Sequence, residues 1–176
     1  LAEISDKGIP IHIFTGNHDM WIFDYIESEI NAHIYREPIH IYLKGKHFYI
    51  GHGDGMGPGD KVYKIVKKIF QNKLCQWLFE RVHPNLGISI AQYWSKKSRI
   101  ANTENDRIYF GDKEWLTQFC KQKMKTIDVD YFIFGHRHLP LEIDLDNHTK
   151  YINLGDWITY KSYAVFDGKN LELKHY

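Results

Sequence analysis

The sequence predicts an α/β body interrupted by a helical insert. Three observations carry this reading. Runs rich in β-branched and aromatic residues, bounded by Gly and Asn, gather towards both ends of the 176-residue chain. Between them, apolar residues recur at helical spacing. Charge follows the same division: residues 58 to 125 hold 14 Lys and Arg against 6 Asp and Glu, and the remainder holds 9 against 16. An acidic body carrying a basic insert suits an anionic substrate or membrane surface; a solvated helical face explains the same charges.

Taken in order, residues 9 to 14 (IPIHIF) form a short β-branched run ending at Thr15-Gly16, a buried strand. Residues 22 to 30 space their apolar groups as a short helix. Residues 39 to 54 read as a strand, a Lys44-Gly45 turn and a second strand, hence a hairpin. A helix over 60 to 70 puts Val62, Ile65, Val66, Ile69 and Phe70 on one face, with Asp60 as its N-cap and Lys61, Lys64, Lys67 and Lys68 largely elsewhere. Two more helices follow over 74 to 82 and 87 to 97, then another over 112 to 125 capped by Asp112. Strands return at 130 to 136, 141 to 145, 150 to 155, 162 to 168 and 171 to 176. No internal repeat or low-complexity linker interrupts the series.

Composition bounds the class. With 43% apolar and 26% charged residues the chain is that of a soluble globular protein, and its length suits one domain. Cys75 and Cys120 form no CxxC and are expected as reduced thiols of a cytosolic protein. No apolar run approaches the length of a membrane span.

The chemistry sits in three segments with one grammar: an apolar strand, a Gly, then side chains fit for a metal. They are IFTGNHD with Asn17, His18 and Asp19; FYIGHGD with His52 and Asp54; and FIFGHRH with His136 and His138. A Gly at a strand end lets the backbone turn sharply and approach an ion or phosphate. His136 and His138, at i and i+2, are expected on one side of an extended chain. Singly, each segment also reads as an ordinary polar turn. Three together, each after a core strand, point to a metal site. Imidazole suits Zn, Mn, Fe or Ni, and added oxygen donors favour harder ions such as Mn.

These motifs, GNHD, GHGD and GHRH, resemble the last three motifs of the calcineurin-like metallophosphoesterases, in the same order. The resemblance implies a four-layer β-sandwich flanked by helices, here N-terminally incomplete, as a single domain over 1–176 with a helical cap insertion at about 58–126. It implies that Asn17, His52 and His136 ligate one divalent metal and His138 a second. His18, paired with Asp19, would be the proton donor to the leaving oxygen. Two cations roughly 3.5–4 Å apart stabilise attacking and leaving oxygens and supply hydroxide near neutral pH. Manganese is the foremost expectation, with Fe, Zn and Mg as alternatives.

The spacing from His52 to Asp60 and Tyr63, the segment SRIAN with Ser98 and Asn102, and NLGDW at 153 to 157 are similar to the UDP-2,3-diacylglucosamine pyrophosphatase branch. That likeness covers about residues 12 to 166. It implies that water cleaves the diphosphate of a lipid-linked UDP-sugar in lipid A biosynthesis. Asn17, Asp60, Ser98, Asn102 and His136 would touch the sugar phosphate. Two positions depart: His18 stands where the branch commonly has Arg, and Asn105 where it has Lys.

Five lysines between 61 and 73, an apolar helix face and Trp77, Phe79 and Trp94 suit acyl chains and an anionic lipid surface; ordinary helix packing explains them too. The resemblance places the protein peripherally on the cytoplasmic face of a bacterial inner membrane. No nucleic acid is expected, because the basic patch is local and net charge is +1. The superfamily's first two motifs, D-x-H and G-D-x-x-D, are not found before GNHD. The chain is therefore expected to be a fragment, poorly active alone, holding at most one weakly bound metal and self-associating through an uncovered sheet edge. Two rivals remain: a phosphatase or nucleotide hydrolase acting on a soluble phosphoester, and a non-catalytic scaffold.

Overall fold

The computed structural model describes residues 1–59, 61–102 and 108–176, apart from the side chains of Val62 and of residues 98–102. In chain order the elements are α1 (Ala2–Ser5), β1 (His12–Phe14), α2 (Tyr25–Ile30), β2 (His33–Tyr35), β3 (Ile39–Leu43) and β4 (Lys46–Ile50). Then come α3 (Lys61–Gln71), α4 (Lys73–Glu80), α5 (Pro84–Asn102), a 3-10 turn (Gly111–Lys113) and α6 (Trp115–Lys123). The chain closes with β5 (Tyr131–Phe134), β6 (Pro140–Asp144), β7 (Lys150–Leu154), β8 (Ser162–Phe166) and β9 (Leu171–His175).

The fold is α/β, around a five-stranded mixed sheet ordered β3-β4-β5-β7-β6. β3 and β4 pair antiparallel through Lys44 and Gly45, whose φ values of 50° and 79° match a two-residue hairpin turn. β4, β5 and β7 run parallel. Parallel neighbours cannot be joined by a tight turn. The helical insert is the crossover between β4 and β5.

Both faces of this sheet are covered, which explains why YFIF in β5 is a continuous apolar run rather than an alternating one. Phe132 and Phe134 face α6, packing with Leu116, Cys120, Tyr49 and Tyr151. Ile133 faces the other way with Phe48 and Ile152, against Leu171 and Phe166 of the β8–β9 hairpin. The layers are thus helix, sheet and hairpin.

β1 and β2 form a separate two-stranded parallel sheet. Sequence patterning missed β2, which has only three residues. It also began two elements early: β1 starts at His12 rather than at residue 9, and α2 at Tyr25 rather than at 22. Asp112 does not cap α6. It lies in the 3-10 turn and its carboxylate meets Lys121 Nζ at 2.7 Å, while Glu114 occupies the cap position. Asp60, expected to cap α3, lies outside the described residues. Asn72 caps α4 by accepting from the Leu74 and Cys75 amides.

The insert leaves much apolar surface bare. Ile65, Ile69, Trp77 and Trp94 are each about half exposed or more, at 61%, 50%, 49% and 48%. The Phe70 ring packs tilted against Trp94 with centroids 5.3 Å apart, and the Phe70 carbonyl accepts from Trp21 Nε1 at 2.8 Å.

At the opposite end of the sheet, Asp130 accepts from Lys46 Nζ at 2.7 Å and from the His47 amide at 2.8 Å. Burial pushes its carboxyl up, but the His47 amide and Lys46 outweigh it, leaving the group below its ordinary value of 3.8. A depressed carboxylate stabilises the fold above its unfolded pKa, and that contribution fades as pH falls through the folded value. Asp130→Asn is therefore expected to lower stability at neutral pH, with the gap to wild type closing in acid; urea denaturation across pH measures it. Phe132→Ala, at a fully buried site, is expected to cost about 3–5 kcal/mol in the same assay.

Candidate active site

The β1, β4 and β5 chains each leave their strand through a glycine, and the three exits meet. Gly16 lies so close to the His52 imidazole that a Cβ there would stand 2.5 Å from Nε2, so only glycine admits the ring. Asn17 Oδ1 and His52 Nε2 are then 3.3 Å apart. From β5, the His136 ring stands edge-on to His52 at 5.3 Å between centroids.

The β4 and β5 exits are locked by backbone. The Gly51 amide donates to the Ile133 carbonyl at 3.1 Å, and the Gly135 amide to the His52 carbonyl at 2.9 Å. His136 itself turns back with φ of 57°. The expected extended geometry does not hold there, so His136 and His138 do not share one side of a strand. A non-glycine residue in this region needs its surroundings to hold it. Asn153 of β7 does so: fully buried, its Nδ2 donates to the carbonyls of Arg137 at 2.5 Å and Leu139 at 2.8 Å.

Burial lowers the pKa of His52, against the opposing pull of Asp54 and Asp19. It pushes His136 down to about 4, with His52 adding to the effect. Both shifts favour the neutral imidazole, which has a lone pair available. Among the described residues, His136 Nδ1 is buried without a hydrogen-bond partner. An orphaned imidazole nitrogen beside a second imidazole and an amide oxygen is a donor set that fits a divalent cation. Among the described residues, no group of three or more His, Cys, Asp or Glu side chains is arranged to hold a metal.

His138 is exposed, near enough to Asp156 to help hold that carboxyl below its usual range after burial and three backbone amides are counted. His18 and Asp19 are exposed on the loop after β1. The Asp19 carboxylate accepts from the Gly16 amide, closing that loop, and among the described residues no hydrogen bond joins it to His18. Asp60 lies outside the described residues, as do the side chains of Ser98 and Asn102, whose backbone belongs to α5.

Asp54, which its place after GH made look like a ligand, is otherwise engaged. Only 5% exposed, it accepts from Tyr63 Oη at 2.6 Å and pairs with Lys67 Nζ at 2.9 Å. Burial pushes this carboxyl up, but the Tyr63 hydroxyl and the Lys67 ammonium keep it ionised and below its usual value. Beside it a cleft of about 120 Å³ is bordered by Thr15, Arg36, His52, Met56 and Lys67. Tyr63, Lys67 and Asn153 were not singled out as supports from the sequence. Their partners are distant in the chain, so only the motif neighbourhood of Asp54 hinted at them.

Known proteins agree on one family. A UDP-2,3-diacylglucosamine hydrolase of Porphyromonas gingivalis is 38% identical over 187 residues, covering 99% of this chain and 71% of that protein. The chain belongs to the UDP-2,3-diacylglucosamine hydrolase family. Hydrolases of the same name from Histophilus somni and Aeromonas hydrophila are 28% and 25% identical over 89% and 93% of the chain, which spans 66% and 68% of their lengths. No family model matches the chain.

Asn153→Ala would leave two carbonyls of the 137–139 loop unpaired in a buried setting. It is expected to cost about 1–3 kcal/mol in urea denaturation.

Proposed function

We propose that the protein hydrolyses the diphosphate of UDP-2,3-diacylglucosamine, releasing UMP and the lipid sugar 1-phosphate. The observation that carries this is the convergence of Asn17, His52 and His136, neutral or uncharged donors, at the ends of three strands. It agrees with the names of the relatives, which are hydrolases of that substrate.

In this reading Asn17, His52 and His136 hold one divalent ion, manganese foremost, and His138 helps hold a second. Such ions supply charge stabilisation for the oxygens of the phosphoryl group and lower the pKa of water. His18 donates the proton to the leaving oxygen from its imidazole N–H. The Asp19 carboxylate, through the Gly16 amide, holds the loop that carries His18. Asn17 and His136, with Asp60, Ser98 and Asn102, contact the sugar phosphate. The chain is one calcineurin-like domain in which the segment at about 58–126 forms the cap, its last helix, α6, returning to the sheet. Lys61, Lys64, Lys68 and Lys73 with the bare apolar faces of α3 to α5 seat the cap on an anionic leaflet at the cytoplasmic face of the inner membrane. Among the described residues no helix is long and apolar enough to cross a membrane. The edge strands β3 and β6 are the places where copies would associate.

His18, where the branch commonly has Arg, supports a second reading: hydrolysis of a soluble phosphoester. The full-length protein supplied with Mn2+ separates the two. Release of UMP from UDP-2,3-diacylglucosamine in mixed micelles, without turnover of p-nitrophenyl phosphate, is the expected result; the reverse would favour the soluble substrate. Hydrolysis of neither would overturn the catalytic reading. His18→Ala is expected to lower turnover by about 10²–10⁴-fold with Mn2+ still bound.

A further inference from the structure

Each of the two histidine loops is tied to one stem of the helical insert by a buried ionic contact. On the entry side, Asp54 stands two residues past His52 and receives Tyr63 and Lys67 of α3, at 2.6 Å and 2.9 Å. Lys67 also reaches the Asp54 carbonyl at 3.4 Å. On the return side, Arg137 directly follows His136. Its Nε lies 3.1 Å from Glu114 Oε1, with side chains 14% and 3% exposed, and its Nη2 donates to the Ile108 carbonyl at 2.7 Å.

The two stems also touch one another. A Cβ on Gly57 would fall 2.6 Å from the Trp115 carbonyl, and one on Gly59 would fall 2.4 Å from the Trp115 ring. Trp115 is the neighbour of Glu114. The path from His52 through Asp54, the glycine loop, Trp115, Glu114 and Arg137 to His136 is therefore continuous. Little slack remains at its far end, because Asn153 already holds the Arg137 carbonyl and the Arg137 amide donates to the Gly135 carbonyl.

We propose that Asp54 and the Glu114–Arg137 pair are positioning residues through which the seating of the insert sets the placement of His52 and His136. Removing one charge of a buried pair weakens the tie between the loop and the insert. The loop held by that tie must then shift, and its histidine shifts with it. The consequence for metal binding rests on the reading of these histidines as ligands; the consequence for their placement does not.

The test uses Asp54→Asn and Glu114→Gln, near-isosteric changes that remove one charge each. Imidazole nitrogen resonances of the metal-free protein report each histidine, and titration with Mn2+ followed by electron paramagnetic resonance reports affinity. Asp54→Asn is expected to move chiefly the His52 resonances and Glu114→Gln chiefly those of His136. Mn2+ affinity should fall about 10–100-fold in each, the range for residues that orient ligands. Arg137→Lys keeps the charge opposite Glu114 and is expected to give a smaller effect than Glu114→Gln. If either variant fails to fold, Tyr63→Phe, which removes one hydroxyl, and Arg137→Lys read the same two ties. Unmoved histidine resonances in folded variants would overturn the proposal. A wild-type protein that binds no Mn2+ would defeat the ligand assignment, while the imidazole resonances would still decide the positioning.

Discussion

The parallel ladder between β4 and β5 governs most of what this protein does. Phe48 to Ile50 pair with Tyr131 to Ile133, and the hydrogen bonding runs on beyond both strands through Gly51 and Gly135. Parallel strands point the same way, so their C-terminal exits open at one edge of the sheet and deliver His52 and His136 side by side. The same parallel arrangement forbids a short connection. A long crossover is needed, and it gives the chain room for α3, α4 and α5. The site and the insert above it are two consequences of one pairing.

Electrostatics at this edge follow from burial. His52 and His136 are shielded enough that protonation is disfavoured, which leaves lone pairs where a cation would need them. Two buried carboxylates near them are each matched. Asp54 lies against Lys67 and Tyr63, and Glu114 against Arg137. Buried charges persist only with such partners, and here each pairing joins the insert to the body. A sheet without the insert would leave Asp54 without Tyr63 and Lys67, and Arg137 without Glu114.

Membership of a hydrolase family gives this arrangement its chemical context. The insert differs in character from the body: it is basic, and several large apolar side chains stay in water, among them Trp77, Leu78 and Tyr93. A helix layer built only to cover a core would turn those groups inward. An acyl-bearing, anionic substrate is the kind of ligand that such a surface suits.

How far the chain could be read without its structure varies by element. The hairpin β3–β4 and the strands β5 to β9 were legible because two-residue periodicity and Gly-bounded aromatic runs are local signals. The three Gly-His and Gly-Asn-His exits were legible too, since a turn and its donors are contiguous. Caps and short strands were not. Asp112 has the chemistry of a cap but meets Lys121, and β2 has too few residues to show a period. The ties through Asp54, Glu114, Arg137 and Asn153 were hidden because each joins residues far apart in sequence. The amino-acid order alone thus determined which segments other than β2 become strands and which side chains stand at the three glycine exits, because φ/ψ preference and amphipathic period are properties of neighbours. Tertiary structure alone decided that Gly16 lies against His52, that His136 turns back into a left-handed backbone, and which buried charge each cation meets, because those depend on distances between segments that no local pattern encodes.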